Sequence, residues 1–282
     1  MSNDATSRYE ESMVRYLQSR VSRGKLLAAA GAGVALAVFP HAAGAQTSTP
    51  ESVQDILNIA DTAEHLAVTV LTAAVNNASQ LGLSGLLLAF TQAALAEEQY
   101  HADFLEANGA KPLTDTFTVP DPKILTDLQT FLATIEAAET LFIGAYMAAV
   151  REFTQLGQPT LAKYAYQIGT VEAEHRAHVR AGEALTTNLS KGVPPNNKAF
   201  ETNVVATVGD AAKQLMALGF IGGTGTKVTY PGRGAAFAAA APILAAVIEK
   251  TPNNSTPSTA TAAYPVGARQ HGRHPRRHHH KP

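Results

Sequence analysis

Four glutamates and two histidines have types and spacings that fit one chemistry. Glu98-x-x-His101 and Glu172-x-x-His175 each set a carboxylate and an imidazole one helical turn apart, on one face of a helix. A pair so placed can grip a single ion. A further glutamate precedes each pair at nearly the same interval: Glu64 lies 34 residues before Glu98, and Glu139 lies 33 before Glu172. The chain thus reads Glu, Glu-x-x-His, Glu, Glu-x-x-His. One E-x-x-H arises roughly half a time by chance at this composition; two, each mid-helix and each with a matching upstream glutamate, form a specific pattern. Charge points to a metal. Four buried carboxylates beside neutral imidazoles are far from neutral, each uncompensated ion costs several kcal/mol, and two divalent cations would cancel the excess. Arg176 is the one basic residue close to these positions. Six ligands for two ions leave coordination positions open to a small molecule. The plainer alternative is a set of surface residues or a polar core satisfied by its own hydrogen bonds.

Four helices must position these groups. Apolar residues recur at three and four over Ser52–Asn77 (Val53, Ile56, Leu57, Ala60, Ala67, Leu71, Val75) and over Ser84–Asn108 (Leu87, Leu88, Ala94, Leu95, Leu105). They recur again over Pro122–Leu156 (Leu125, Leu128, Leu132, Ile135, Phe142, Ile143, Val150) and Pro159–Asn188 (Leu161, Ile168, Val179, Leu185). Glu64, Glu98, Glu139 and Glu172 fall on these inner stripes, near mid-helix. Short links around Gly82 and at Gly157-Gln158 predict two antiparallel hairpins. Between them, Ala110–Asp121 is long enough to cross the bundle from end to end. The predicted fold is all-α: a four-helix bundle of two hairpins joined by one long crossover, with a C-terminal extension. In that extension a loop is expected at Val193–Asn197, a short helix within 200–219, and an alanine-rich helix over Ala235–Lys250.

Neighbouring residues offer further candidates. Glu136, one turn before Glu139, could replace or assist it; Glu139 is favoured by its spacing. Glu97 has no histidine three residues on. His65 reads as a helix-surface residue and His178 as a solvated one. Tyr146, seven residues after Glu139, reads as a core tyrosine with a hydrogen-bond partner, the alternative being a bond to a ligand.

On the Glu, Glu-x-x-His, Glu, Glu-x-x-His pattern, residues 51–190 resemble the ferritin-like superfamily, and the secreted group that includes desiccation-related proteins in particular. The resemblance implies a dinuclear iron or manganese site. Glu98 and Glu172 would bridge the ions, Glu64 and Glu139 would be terminal ligands, and His101 and His175 would cap one ion each. No cysteine-rich iron module follows, so an electron relay of the rubrerythrin type is not implied, and the extension is foreign to a cage-forming storage subunit.

The ends of the chain differ in composition from its middle. Residues 26–39 are an uncharged apolar run, too short for the ~20 residues of a membrane-spanning helix, preceded by Arg20, Arg23 and Lys25 and followed by Ala43-Gly44-Ala45. This predicts a signal peptide over 1–45, cleaved after Ala45, and export to the periplasm or the exterior with no transmembrane anchor in the mature chain. Ser22-Arg23-Gly24-Lys25-Leu26-Leu27 resembles a degenerate twin-arginine signal with glycine in place of the second arginine. The predicted bundle spans 46–190, the extension 191–251, and a disordered, basic, histidine-rich tail 252–282. The chain has no cysteine and no tryptophan. That excludes disulfides, iron–sulfur clusters and thiol nucleophiles, and argues against a stacking surface for nucleic acid.

The leading functional expectation is an exported metal-dependent oxidoreductase with two iron or manganese ions and a small oxidant, dioxygen or peroxide. Its catalytic residues are not specified by the sequence, and a homo-oligomer is compatible with it. The alternatives are a non-catalytic structural or stress-protection protein of the cell envelope, and metal sequestration by bundle and tail together.

Overall fold

The computed structural model describes residues 48–187 and 198–253. The expected signal peptide, the loop at Val193–Asn197 and the histidine-rich tail beyond Asn253 lie outside the described residues. The described residues up to Pro252 form one compact unit.

The four bundle helices are α1 (Val53–Asn76), α2 (Gly85–Ala107), α3 (Leu128–Gln155) and α4 (Pro159–Thr187). Three of them start for a clear local reason. The Ser52 hydroxyl accepts from Asp55 N at the head of α1, and the Asp127 carboxylate accepts from Thr130 N at the head of α3. Pro159 fits the first turn of α4. A one-turn helix, Ala78–Leu81, with Gly82 behind it closes the first hairpin. The closest packing joins α3 to α4 and α1 to α2, as two hairpins require. The architecture is a four-helix bundle of two antiparallel hairpins joined by one crossover. Of the described helices only α3 is long and apolar enough to cross a membrane; half of that stretch is buried within the bundle.

Three elements differ from expectation. The third helix begins at Leu128, not Pro122: Pro122–Leu125 is a 3-10 turn whose Asp121 cap serves it alone, and Asp127 restarts the chain as α3. The crossover is not only loop. Its residues Thr116–Val119 form β1, antiparallel to β2 (Thr226–Thr229), with Phe117 opposite Val228. The alanine-rich helix is short: α6 covers Arg233–Ala239 and gives way to turns.

The extension covers the bundle's outer side. Helix α5 (Val208–Ala217) packs on α1 and α3, and α6 packs on α1 and α2. Helix α1 is therefore covered on both sides, and Leu66, Val68 and Val70 are buried along with Ile56, Leu57 and Leu71. Val204 sits where a side chain at position 144 would be, so Gly144 of α3 is what lets the extension approach so closely.

Candidate metal centre

Each bundle helix delivers its inner carboxylate to one point. Glu64, Glu98 and Glu172 are fully buried and Glu139 is 3% exposed. The two imidazoles enter from α2 and α4. His101 Nδ1 lies 3.4 Å from Glu98 Oε2, 3.4 Å from Glu172 Oε1 and 3.6 Å from Glu64 Oε2. His175 Nδ1 lies 3.2 Å from Glu98 Oε1, 3.3 Å from Glu172 Oε2 and 3.6 Å from Glu139 Oε1. Two groups of ligand atoms result: Glu64, Glu98, His101 and Glu172 in one, and Glu98, Glu139, Glu172 and His175 in the other. Glu98 and Glu172 belong to both, offering one oxygen to each side.

The donor set fits cations better than a self-contained polar core. Glu64 Oε2, Glu98 Oε1, Glu139 Oε2, both Glu172 oxygens and His175 Nδ1 are buried without a hydrogen-bond partner. Buried polar atoms in folded proteins are nearly always paired, so this many orphans aimed at each other are compatible with bound ions. Burial, and next the Glu98 charge, push Glu64 up to about 8; burial and the Glu172 charge hold Glu139 well above the usual carboxylate range. Burial opposes charge on Glu98 and Glu172 too, but contacts from His101 and His175, preceded at Glu98 by one from Glu64, outweigh it and keep both low. The same contacts overcome burial at the imidazoles and raise both well above the ordinary histidine value.

Residues around these six fix them in place. His175 Nε2 pairs with Glu97 Oε2 at 2.8 Å, which assigns the ring proton to Nε2 and leaves Nδ1 facing the carboxylates. The Tyr146 hydroxyl donates to Glu64 Oε1, turning Oε2 toward His101. Tyr146 is placed by Gly169 of α4, where an added Cβ would meet the Tyr146 Cβ at 3.0 Å. The tyrosine therefore bonds a candidate ligand, the reading not favoured from sequence. Glu136 is engaged elsewhere, in an ion pair with Arg180, and lies outside both groups of ligand atoms.

Two histidines are not where expected. His178 is half-buried and stacked on Phe90, ring centroids 4.3 Å apart; burial, with His175 nearby, holds its pKa low. His65 is buried, not on the surface: the crossover and the extension cover it. Neither change was visible to helical spacing, because the covering segments come from far along the chain. Glu97 escaped for the same reason, since its partner is on another helix.

Residues 52–185, from the head of α1 to the last turns of α4, match the family model described as a ferritin-like domain. No curated protein and no solved structure matches the chain.

Proposed function

We propose, on the premise that residues 52–185 form a ferritin-like domain, that the bundle holds two iron or manganese ions and is an oxidoreductase using dioxygen or peroxide. The observation that carries this reading is the pair of ligand groups sharing Glu98 and Glu172, six of whose buried atoms have no hydrogen-bond partner. Glu64, Glu98, His101 and Glu172 would hold one ion; Glu98, Glu139, Glu172 and His175 would hold the other. Bound there, a redox pair supplies the electrons that reduction of dioxygen or peroxide consumes.

The chain's own residues do the rest. Glu97 orients the His175 ring, and Tyr146 keeps a proton at its hydroxyl against Glu64 Oε1. Leu71, Leu87, Phe90 and Ile135 wall a cavity of about 30 Å³ that reaches Glu139 and His175. That is room for about one water-sized molecule, and its apolar walls favour a small neutral oxidant over a charged or bulky substrate. The apolar run 26–39, with Ala43-Gly44-Ala45 behind it, supports action outside the cytoplasm. The resemblance to the secreted, desiccation-related group supports the same placement.

Metal analysis of the full chain beside a Glu98→Ala/Glu172→Ala variant tests the reading. The expected result is close to two iron or manganese ions per chain, lost in the variant, with oxidation of ferrous iron or consumption of peroxide by the loaded protein. Unchanged metal in the variant overturns the site. Metal without turnover makes the ions a staple, and the chain a structural or stress-protection protein.

A further inference from the structure

His65 lies on α1 beside Glu64 in sequence, but its ring enters a different environment. Its Nδ1 is 2.8 Å from Asp115 Oδ1, on the crossover. Its Nε2 is 3.6 Å from Asp61 Oδ1, one turn earlier on α1, and 3.3 Å from Glu106 Oε1, at the end of α2. Asp61 is fully buried and His65 is 2% exposed. Both Asp61 oxygens and His65 Nε2 are buried without a hydrogen-bond partner. Glu106 is half-exposed, so the cluster reaches solvent on one side.

We propose that Asp61, His65 and Glu106 form a third metal site, mononuclear and separate from the dinuclear centre, that takes a divalent first-row transition ion. The spacing supports an ion over a direct ion pair. A charge-assisted N–H···O bond closes to about 2.7–2.9 Å. Atoms sharing one ion at bond lengths near 2.1 Å instead stand about 3.0–3.4 Å apart. The Nε2–Glu106 and Nε2–Asp61 separations sit at or just beyond that range, and neither is a hydrogen bond. Asp115 supplies the outer partner that a ligating histidine usually has: accepting from Nδ1–H, it leaves the Nε2 lone pair for the ion. The ring itself cannot swing away. Tyr230, from the extension, stacks on it at 3.8 Å with 12° between the planes. Tyr230 is held in turn by its hydroxyl on Gln99 Oε1 and its amide on Asp115 O, each at 2.8 Å. One imidazole and two carboxylates suit iron, manganese, cobalt or zinc, and the exposed edge at Glu106 leaves positions for water.

The test is Co²⁺ binding to the full chain, stripped of metal and then dialysed against fixed free Co²⁺. The histidine-rich tail is present in every sample and cancels in the differences. Asp61→Asn should bind one ion fewer than the parent. Glu106→Gln, changed at a half-exposed position that does not threaten the fold, should weaken that one ion at least tenfold. Asp115→Asn should weaken it about 10- to 100-fold through the histidine's orientation. Glu98→Gln/Glu172→Gln should keep this ion while losing those of the dinuclear centre, so the two sites fail separately. Parental stoichiometry and affinity in Asp61→Asn and Glu106→Gln overturn the proposal, as does loss of the ion only when Glu98 and Glu172 are changed.

Discussion

At the scale of single residues, ions and protons compete for the same atoms. Glu64 is pushed up to about 8, Glu139 lies well above the carboxylate range, and both imidazoles lie well above theirs. Below those values the groups hold protons, and a divalent ion must displace them. Metal affinity should therefore rise with pH, markedly between pH 6 and pH 8, with protons released on binding. Calorimetry in two buffers of different ionisation enthalpy reads that release directly; binding without proton release, and equal at both pH values, contradicts the arrangement. Glu64, Glu98, His101, Glu139, Glu172 and His175 were legible because helical spacing encodes which side chains share a face. Glu97, Asp115 and Tyr146 make their bonds between helices or across the crossover, and no local period carries that information.

At the scale of elements, the bundle helices were legible and their attachments were not. The helix over Ser52–Asn77 nevertheless carried a hint: its near-continuous apolar stretch, Leu66 to Val75, suits a helix covered on more than one side, and α1 is so covered. The attachment itself depends on Glu152, a fully buried carboxylate of α3. One oxygen accepts from Glu51 N and the other from Val208 N, each at 3.0 Å. It thereby joins the segment before α1 to the first turn of α5, where a negative charge also meets the helix dipole. Glu152→Ala leaves two amides without their acceptor, and each buried orphan costs about 1–3 kcal/mol. Chemical denaturation should show a loss of that order, with metal content unchanged at saturating ion. A neutral result places the holding energy of the extension in its apolar contacts alone. Asp127, in contrast, was hidden in plain view: a cap residue two positions after a 3-10 turn looks like the interior of one long helix until the hydrogen bond to Thr130 N is seen.

At the scale of the whole molecule, the extension beyond residue 197 is part of the folded unit. Arg176, next to His175 on α4, is 6% exposed and pairs with Glu201, which Lys198 also contacts at 2.6 Å. Burial would raise the Glu201 carboxyl, but bonds from Arg176 and Lys198 outweigh it and hold it down to about 2. A carboxylate depressed on folding stabilises above its unfolded value, near 4.5, and that contribution fades as pH falls toward 2. Melting temperatures of the parent and Glu201→Gln should thus differ at neutral pH and converge as pH drops from about 4.5 to 2; a gap that persists at pH 2 would point to lost packing instead. The bundle was foreseeable from periodicity, while this wrapping was not, since short helices and a two-strand ribbon have too few residues to show a period. The ribbon also sets an order of events in time. Thr116–Val119 takes its strand partner from Thr226–Thr229, and contacts so distant along the chain close late and slowly. While the protein is being synthesised, the four helices can assemble before the segment carrying Tyr230 has arrived. The crossover, and the surroundings of His65 beneath it, are therefore completed only once residues 226–230 have been made.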